Sequence, residues 1–209
     1  QYDKTYARSG HGFVLGAETS STVSSRGVYH FPVVNTCLVG RDKESRDSLK
    51  KAGICYADYH NTSYDTEVVS WGNLPDYDWV EQEKPWVIGE FVWTGFDYLG
   101  EPTPYNDVWP SRSSYFGILD LAGLPKDRYY LYRSRWNTTQ PTIHLLPHWN
   151  WEGREGEITP VYCYTNYPTA ELFVNGKSQG KRTKTTNGDI LDRYRLRWNE
   201  VKYEPGEVK

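Results

Sequence analysis

The pattern of apolar and polar positions changes character once along the chain. Up to about residue 138, short apolar runs alternate with long polar stretches and amphipathic segments. Phe13 to Ala17 is apolar and too short for a helix, and Pro85 to Thr94 carries a second run of the same kind. Such runs suit strands of a parallel sheet covered on both faces. Between them, Leu74 to Lys84 predicts a short helix, with Asp76 as a first-turn acid and Pro85 as the stop. A second helix is predicted from Pro125 through Trp136, placing Tyr129, Tyr132, Arg133 and Trp136 on one face. Strand then helix, twice, is the repeating unit of an α/β fold.

After Asn137-Thr-Thr-Gln-Pro141 the period becomes two. Thr142 to Leu146, Ile158 to Tyr164 and Ala170 to Val174 read as strands, and Asn175-Gly176 is a tight-hairpin dipeptide. From Arg193 to Trp198 the alternation predicts Tyr194, Leu196 and Trp198 inward and three arginines outward, an antiparallel sheet with one face in water. The expected division is therefore residues 1–138 as an α/β segment and 139–209 as a β-sandwich. Two βα units cannot close a barrel of eight, and four or five strands are few for a sandwich. Both segments are expected to be parts of a longer chain.

Composition removes several function classes. The net charge of −3 over 209 residues, with charges scattered, lacks the basic footprint that phosphate binding needs, so no nucleic-acid partner is expected. No stretch approaches the roughly 20 apolar residues of a membrane span. The three cysteines have no metal-like spacing and are expected to be free buried thiols rather than disulfide-bonded. The five histidines form no ligand motif, so neither a metal nor a cofactor is expected. Aromatic residues make up 16% of the chain. Flat apolar rings suit the C–H faces of sugars, although core and sheet packing accounts for most of them.

The first apolar run ends on a carboxylate, Glu18. A buried carboxylate costs several kcal/mol unless it is paired, so such a strand end invites a chemical explanation. Here the residues resemble a family. Gly16-Ala-Glu-Thr-Ser-Ser21, continuing to Tyr29, and Gly89-Glu-Phe-Val-Trp-Thr-Gly-Phe-Asp-Tyr98, continuing to Tyr105, resemble the last two strands of the catalytic barrel of family 2 glycoside hydrolases, most nearly the bacterial β-galactosidase-like members. Ser114-Tyr-Phe-Gly-Ile-Leu-Asp120, running on to Trp136, continues the match through the closing helix. His144-Leu-Leu-Pro-His-Trp-Asn-Trp151 and Glu171-Leu-Phe-Val-Asn-Gly-Lys177 resemble the immunoglobulin-like module that follows the barrel.

The resemblance implies the C-terminal portion of a (β/α)8 TIM barrel followed by a partial all-β immunoglobulin-like sandwich. It implies a retaining exo-glycosidase acting on terminal β-D-galactosides, with Glu18 as nucleophile at the C-terminal end of a barrel strand. The acid/base glutamate of the family follows an Asn on an earlier strand and is expected outside this chain. The Asn199-Glu200 pair lies after the nucleophile, in the β segment, and is a decoy. The expected partners are the carbohydrate substrate and the remainder of the parent polypeptide, and the chain alone is expected to be inactive. The sequence leaves localisation open, with a periplasmic or secreted bacterial setting the expectation.

The remaining candidates carry two readings each. Trp93 matches the family's pocket tryptophan and is expected to line the sugar site, or else to close the barrel top as a core ring. Alternation puts Glu90 opposite Phe91 and Trp93, facing the helix layer in a structural pair rather than in catalysis. Of Asp97 and Glu101, on a loop stiffened by prolines, one or the other is expected to accept hydrogen bonds from sugar hydroxyls, with a backbone bond inside its own turn as the other reading of Asp97. Arg26 is expected in an exposed salt bridge. Trp149 and Trp151 either dock the two segments or form a sugar-binding surface. A non-catalytic carbohydrate-binding or structural role, or a β-glucuronidase or β-mannosidase specificity, are the alternatives to the galactosidase reading.

Overall fold

The computed structural model describes residues 1–10, 12–39, 43–52, 56–57, 61–105 and 113–209. In chain order its elements are α1 (Tyr2–Arg8), β1 (Val14–Thr19), β2 (Thr22–Val23), β3 (Cys37–Val39), α2 (Lys43–Lys51), β4 (Tyr56–Ala57), β5 (Glu67–Val69), α3 (Pro75–Glu81), β6 (Val87–Val92), β7 (Tyr98–Leu99), β8 (Ser113–Ser114) and α4 (Asp127–Trp136). The second segment holds β9 (Ile143–Leu146), β10 (Val161–Thr165), β11 (Thr169–Val174), β12 (Lys177–Thr183), a 3-10 turn at Ile190–Arg193 and β13 (Leu196–Trp198).

The two apolar runs pair as parallel strands, β1 against β6. Both are irregular. One extra residue lies on β6 between Val87 and Gly89, and one on β1 between Gly16 and Thr19. An extra residue breaks the period-two alternation and re-aims the side chains around it. β1 accordingly reads buried, exposed, buried, exposed, exposed, buried, leaving Ala17 and Glu18 both open. Gly16 permits the close approach behind this turn: a Cβ there would meet Thr19 Cγ2 at 2.5 Å and the Tyr2 hydroxyl at 2.8 Å.

Residues 22–69, which the sequence pattern leaves as loop, contribute a four-stranded sheet in the order β2-β5-β3-β4. Its strands are two or three residues long, below the length at which periodicity is visible. Cys37 on β3 is disulfide-bonded, which corrects the expectation of three free thiols. Cys163 is a buried free thiol as expected, with burial raising its pKa to about 11, and Cys55 lies outside the described residues.

In the second segment β13-β10-β9 form one antiparallel sheet and β11-β12 a hairpin turning on Asn175 and Gly176, both at positive φ (49° and 77°). Val161, Cys163, Leu172, Val174, Leu196 and Trp198 fill the space between them. The expected wet face is not wet. Arg195 is 0% exposed and Arg197 6%. Arg195 pairs with Asp76 at the start of α3, and Arg197 with Asp192 (2.6 Å) and Asp189 (3.0 Å). Charged side chains can be buried when paired and hydrogen-bonded, and alternation records polarity rather than solvent.

That face meets the first segment through Tyr64, Trp79, Leu131, Tyr132, Leu146, Tyr162, Tyr164 and Tyr194, one buried cluster spanning residue 138. Helix α4 turns Arg128, Leu131 and Tyr132 inward, while Trp136, expected on one face with Tyr129, Tyr132 and Arg133, is 54% exposed. Trp151 meets Phe31 and Tyr29 edge to face (5.1 and 5.9 Å), joining the segments, whereas Trp149 packs on Tyr203 within the sandwich. No helix among the described residues is long and apolar enough to cross a membrane.

Candidate active site

Glu18 sits one residue from the C-terminal end of β1, exposed, on the wall of a cleft of about 570 Å³. Trp71, Asn73 and Tyr77, from the entry to α3, line the same cleft. The cleft volume is in the range of small-molecule sites. Trp71 and Asn73 lie in a stretch of loop polarity that carries no motif and no periodicity to mark them.

Of the other carboxylates near Glu18, Glu81 on the cleft wall pairs with Lys84 (2.7 Å), and two more are bonded inward. Glu90 faces α3, accepting from Trp79 Nε1 (2.9 Å) and from the Thr19 hydroxyl (2.7 Å). This is the predicted direction, with neutral donors as the partners. Asp78 accepts from the Ser20 amide (3.0 Å), the Ser20 hydroxyl (2.9 Å) and the Tyr2 hydroxyl (3.2 Å). Burial raises the Asp78 pKa and the charge of Glu90 adds to it, against the lowering effect of the Ser20 and Tyr2 bonds.

Trp93 follows β6 directly, and its amide donates to the Thr19 carbonyl (2.9 Å), which places it beside the strand end that bears Glu18. Its ring is 37% exposed and meets Tyr98 edge to face at 5.9 Å, with Nε1 donating to the Tyr98 hydroxyl (3.3 Å). The Trp93–Thr94 peptide bond is cis. Neither Trp93 nor the loop acids line the cleft around Glu18.

Asp97 departs from its expected role. It is 6% exposed and accepts from the Gly117 amide (2.8 Å) and from buried Lys126 Nζ (2.7 Å). Lys126 also donates to the carbonyls of Ser24 (2.6 Å) and Tyr115 (3.2 Å). Burial raises the Asp97 pKa and brings Lys126 down to about 8, each opposed by the other's charge. The pair ties the loop after β6 to the chain leaving β1. Glu101 is exposed, its carboxylate accepting from the Thr103 amide (3.2 Å). Arg26 pairs with Asp120 (2.6 Å) at the surface, as anticipated. Glu200 is exposed in a turn after β13. Among the described residues no group of acidic, His or Cys side chains could hold a metal ion.

Comparison with known proteins places these features in context. A family model described as a domain of unknown function, DUF4982, matches residues 156–209. The chain is 43% identical over 196 residues to Beta-galactosidase BoGH2A of Bacteroides ovatus, covering 92% of this chain and 21% of that protein. It is 32% identical over 125 residues to a Beta-glucuronidase of Bacteroides fragilis, covering 60% and 17%. The crystal structure of a beta-glycosidase from Bacteroides vulgatus superposes with a TM-score of 0.76 at 31% identity, covering 99% of this chain and 26% of that one. The chain thus spans about a fifth of the curated relatives' length. Its motifs, its sequence over nearly its full length and its backbone agree, and the chain belongs to the family 2 glycoside hydrolases.

Proposed function

We propose that this chain carries the nucleophile of a retaining exo-glycosidase, Glu18, and that the substrate is a terminal β-galactoside. The observation that carries the proposal is the exposure of Glu18 on a cleft at the C-terminal end of a parallel strand, while Glu90, Asp78 and Asp97 are each bonded inward. Active sites of (β/α)8 barrels lie at that end of the strands. Glu18 would attack the anomeric carbon as the glycosidic bond breaks, the leaving oxygen taking its proton from a second carboxyl group about 5–5.5 Å away, to form a glycosyl-enzyme. That group, now a carboxylate, would take a proton from water, whose attack on the anomeric carbon frees Glu18 and releases the sugar with its configuration retained. With the neighbouring acids committed, that second group is assigned to residues outside this chain.

The barrel itself belongs to the proposal. Phe13, Leu15, Ile88 and Phe91 on the β1–β6 pair are 44–74% exposed, an apolar surface of the kind that further strands and the barrel interior would cover. The substrate class rests on the β-galactosidase relative, and the β-glucuronidase relative supplies the second reading.

The test is an assay of the full-length protein, and of this chain alone, on chromogenic β-galactoside, β-glucuronide and β-mannoside. Turnover of the galactoside by the full-length protein, loss of at least about 10³-fold in Glu18→Gln, and near silence of the chain alone are expected. Preference for the glucuronide moves the substrate class. Robust activity of Glu18→Gln, or of the chain alone, refutes the assignment.

A further inference from the structure

We propose that Ser20 and the two buried side chains gripping it, Asp78 and Arg128, form a positioning clamp that aims Glu18. The inference rests on the reading of Glu18 as nucleophile. Ser20 is two residues past Glu18 and has φ of 52°, the left-handed region that residues with a Cβ avoid at a cost of roughly 1–2 kcal/mol. Every polar atom of Ser20 is engaged. Its amide and hydroxyl both donate to Asp78 Oδ2 (3.0 and 2.9 Å), and Tyr2 donates to the other Asp78 oxygen (3.2 Å). Its carbonyl accepts from the Thr22 amide (2.6 Å), the Thr22 hydroxyl (3.0 Å) and Arg128 Nη2 (3.4 Å).

Arg128 is fully buried and also donates to the carbonyls of Thr22 (2.7 Å) and Phe116 (2.8 Å). The chain leaving β1 is thereby fixed from α3 on one side and α4 on the other. Between Glu18 and Ser20, Thr19 is held by Glu90 through its hydroxyl (2.7 Å) and by the Trp93 amide through its carbonyl (2.9 Å).

A fold selected for stability alone has cheaper ways to make this turn: glycine at position 20 and an apolar side chain at 78. Instead a strained residue is held by a carboxylate and a guanidinium withdrawn from water. Strain that the surroundings over-determine is characteristic of functional sites. The physical return is precision, since a displacement of about 1 Å in a reacting group can cost around 100-fold in rate. The bulge opens Glu18 to the cleft, and the clamp fixes where the bulge ends.

The test uses the full-length protein and a 2-deoxy-2-fluoro glycoside of the sugar that it turns over, with the labelled residue located by peptide mass spectrometry. Ser20→Gly accepts the positive φ without strain but loses the hydroxyl bond, so its melting temperature should stay within about 3 °C of the parent. Asp78→Asn removes the charged acceptor. Both variants should label Glu18 about 10- to 100-fold more slowly, with the half-saturating concentration changed by less than about threefold. That split between rate and binding is what a merely structural role does not produce. Labelling of Glu18 at the parental rate in both variants overturns the clamp and leaves the nucleophile assignment standing. So does a rate loss that only tracks loss of folded protein. Label on another residue of the parent overturns both.

Discussion

Replacing Arg195 by methionine removes one half of an ion pair whose partners, Arg195 and Asp76, are both 0% exposed at the junction of the two segments. Arg195 reaches Asp76 through Nε (3.3 Å) and Nη2, and its Nη1 donates to the Tyr64 carbonyl (3.3 Å). Burial acts most strongly, lowering the Arg195 pKa, but the Asp76 charge and hydrogen bond together with Tyr164 and Asp65 outweigh it and hold the guanidinium above its ordinary range. Methionine fills similar volume without charge, so the loss is electrostatic rather than a cavity. Breaking a buried pair from one side costs about 3–5 kcal/mol, because the remaining charge is stranded. For a chain of this size that is a fall of about 6–20 °C in melting temperature. Asp76→Asn combined with Arg195→Met removes the stranded charge and should recover more than half of the loss. The assay is a double-mutant cycle by urea unfolding, followed by tryptophan fluorescence. A cost below about 1 kcal/mol for Arg195→Met, or strictly additive single and double variants, would refute the claim that the sandwich is locked to α3 by this pair.

Three further outcomes are expected. Gly117→Ala should destabilise by about 1–3 kcal/mol or more, since its Cβ would overlap the Asp97 amide and the Leu119 carbonyl, both main-chain atoms; parental stability in thermal unfolding would contradict this packing. His30 lies 3.5 Å from buried Glu67, whose hydrogen bond raises the His30 pKa above 6.5 against the lowering effect of burial. Its stabilising contribution is therefore full below pH 6.5 and fades as pH rises through the raised folded value. With the side chain half exposed it amounts to less than about 1 kcal/mol, and a melting-temperature difference between the parent and His30→Gln that grows with pH would exclude it. Trp151→Ala removes the ring packed on Phe31 and Tyr29 and should cost toward the low end of the roughly 3–5 kcal/mol typical of Trp→Ala, read as easier proteolytic release of the second segment; no change in release would assign the docking to other contacts.

Much of the first-order design was legible in the residues themselves. The apolar runs ending at Ala17 and Thr94 give β1 and β6, Pro85 marks the stop beyond α3, and Asn175-Gly176 is the hairpin turn. These features are local: they depend on periodicity and on the φ preferences of a few residues, which a sequence displays directly. The motif around Glu18 was equally visible, and Glu18 does stand exposed at a strand end on a cleft.

What the sequence could not display was the destination of its charged side chains. Arg128, Arg195, Arg197, Lys126, Asp76, Asp78 and Asp97 are all buried, each paired with a group far away in the chain or on another element. Alternation distinguishes polar from apolar; it cannot tell water from a distant counter-charge. Asp97 meets Lys126, and Arg195 and Arg197, expected on a solvated face, meet α3 and the 3-10 turn. The bulge that opens Glu18 and the strained turn at Ser20 are likewise products of pairing between β1 and β6 and of gripping by α3 and α4. The sequence by itself determined which segments become strands and which carboxylate ends the first of them. Tertiary contact alone decided which charges are withdrawn from water and that Glu18 stays exposed on a cleft, because the cost of burying a charge is set by the partners that the fold brings to it.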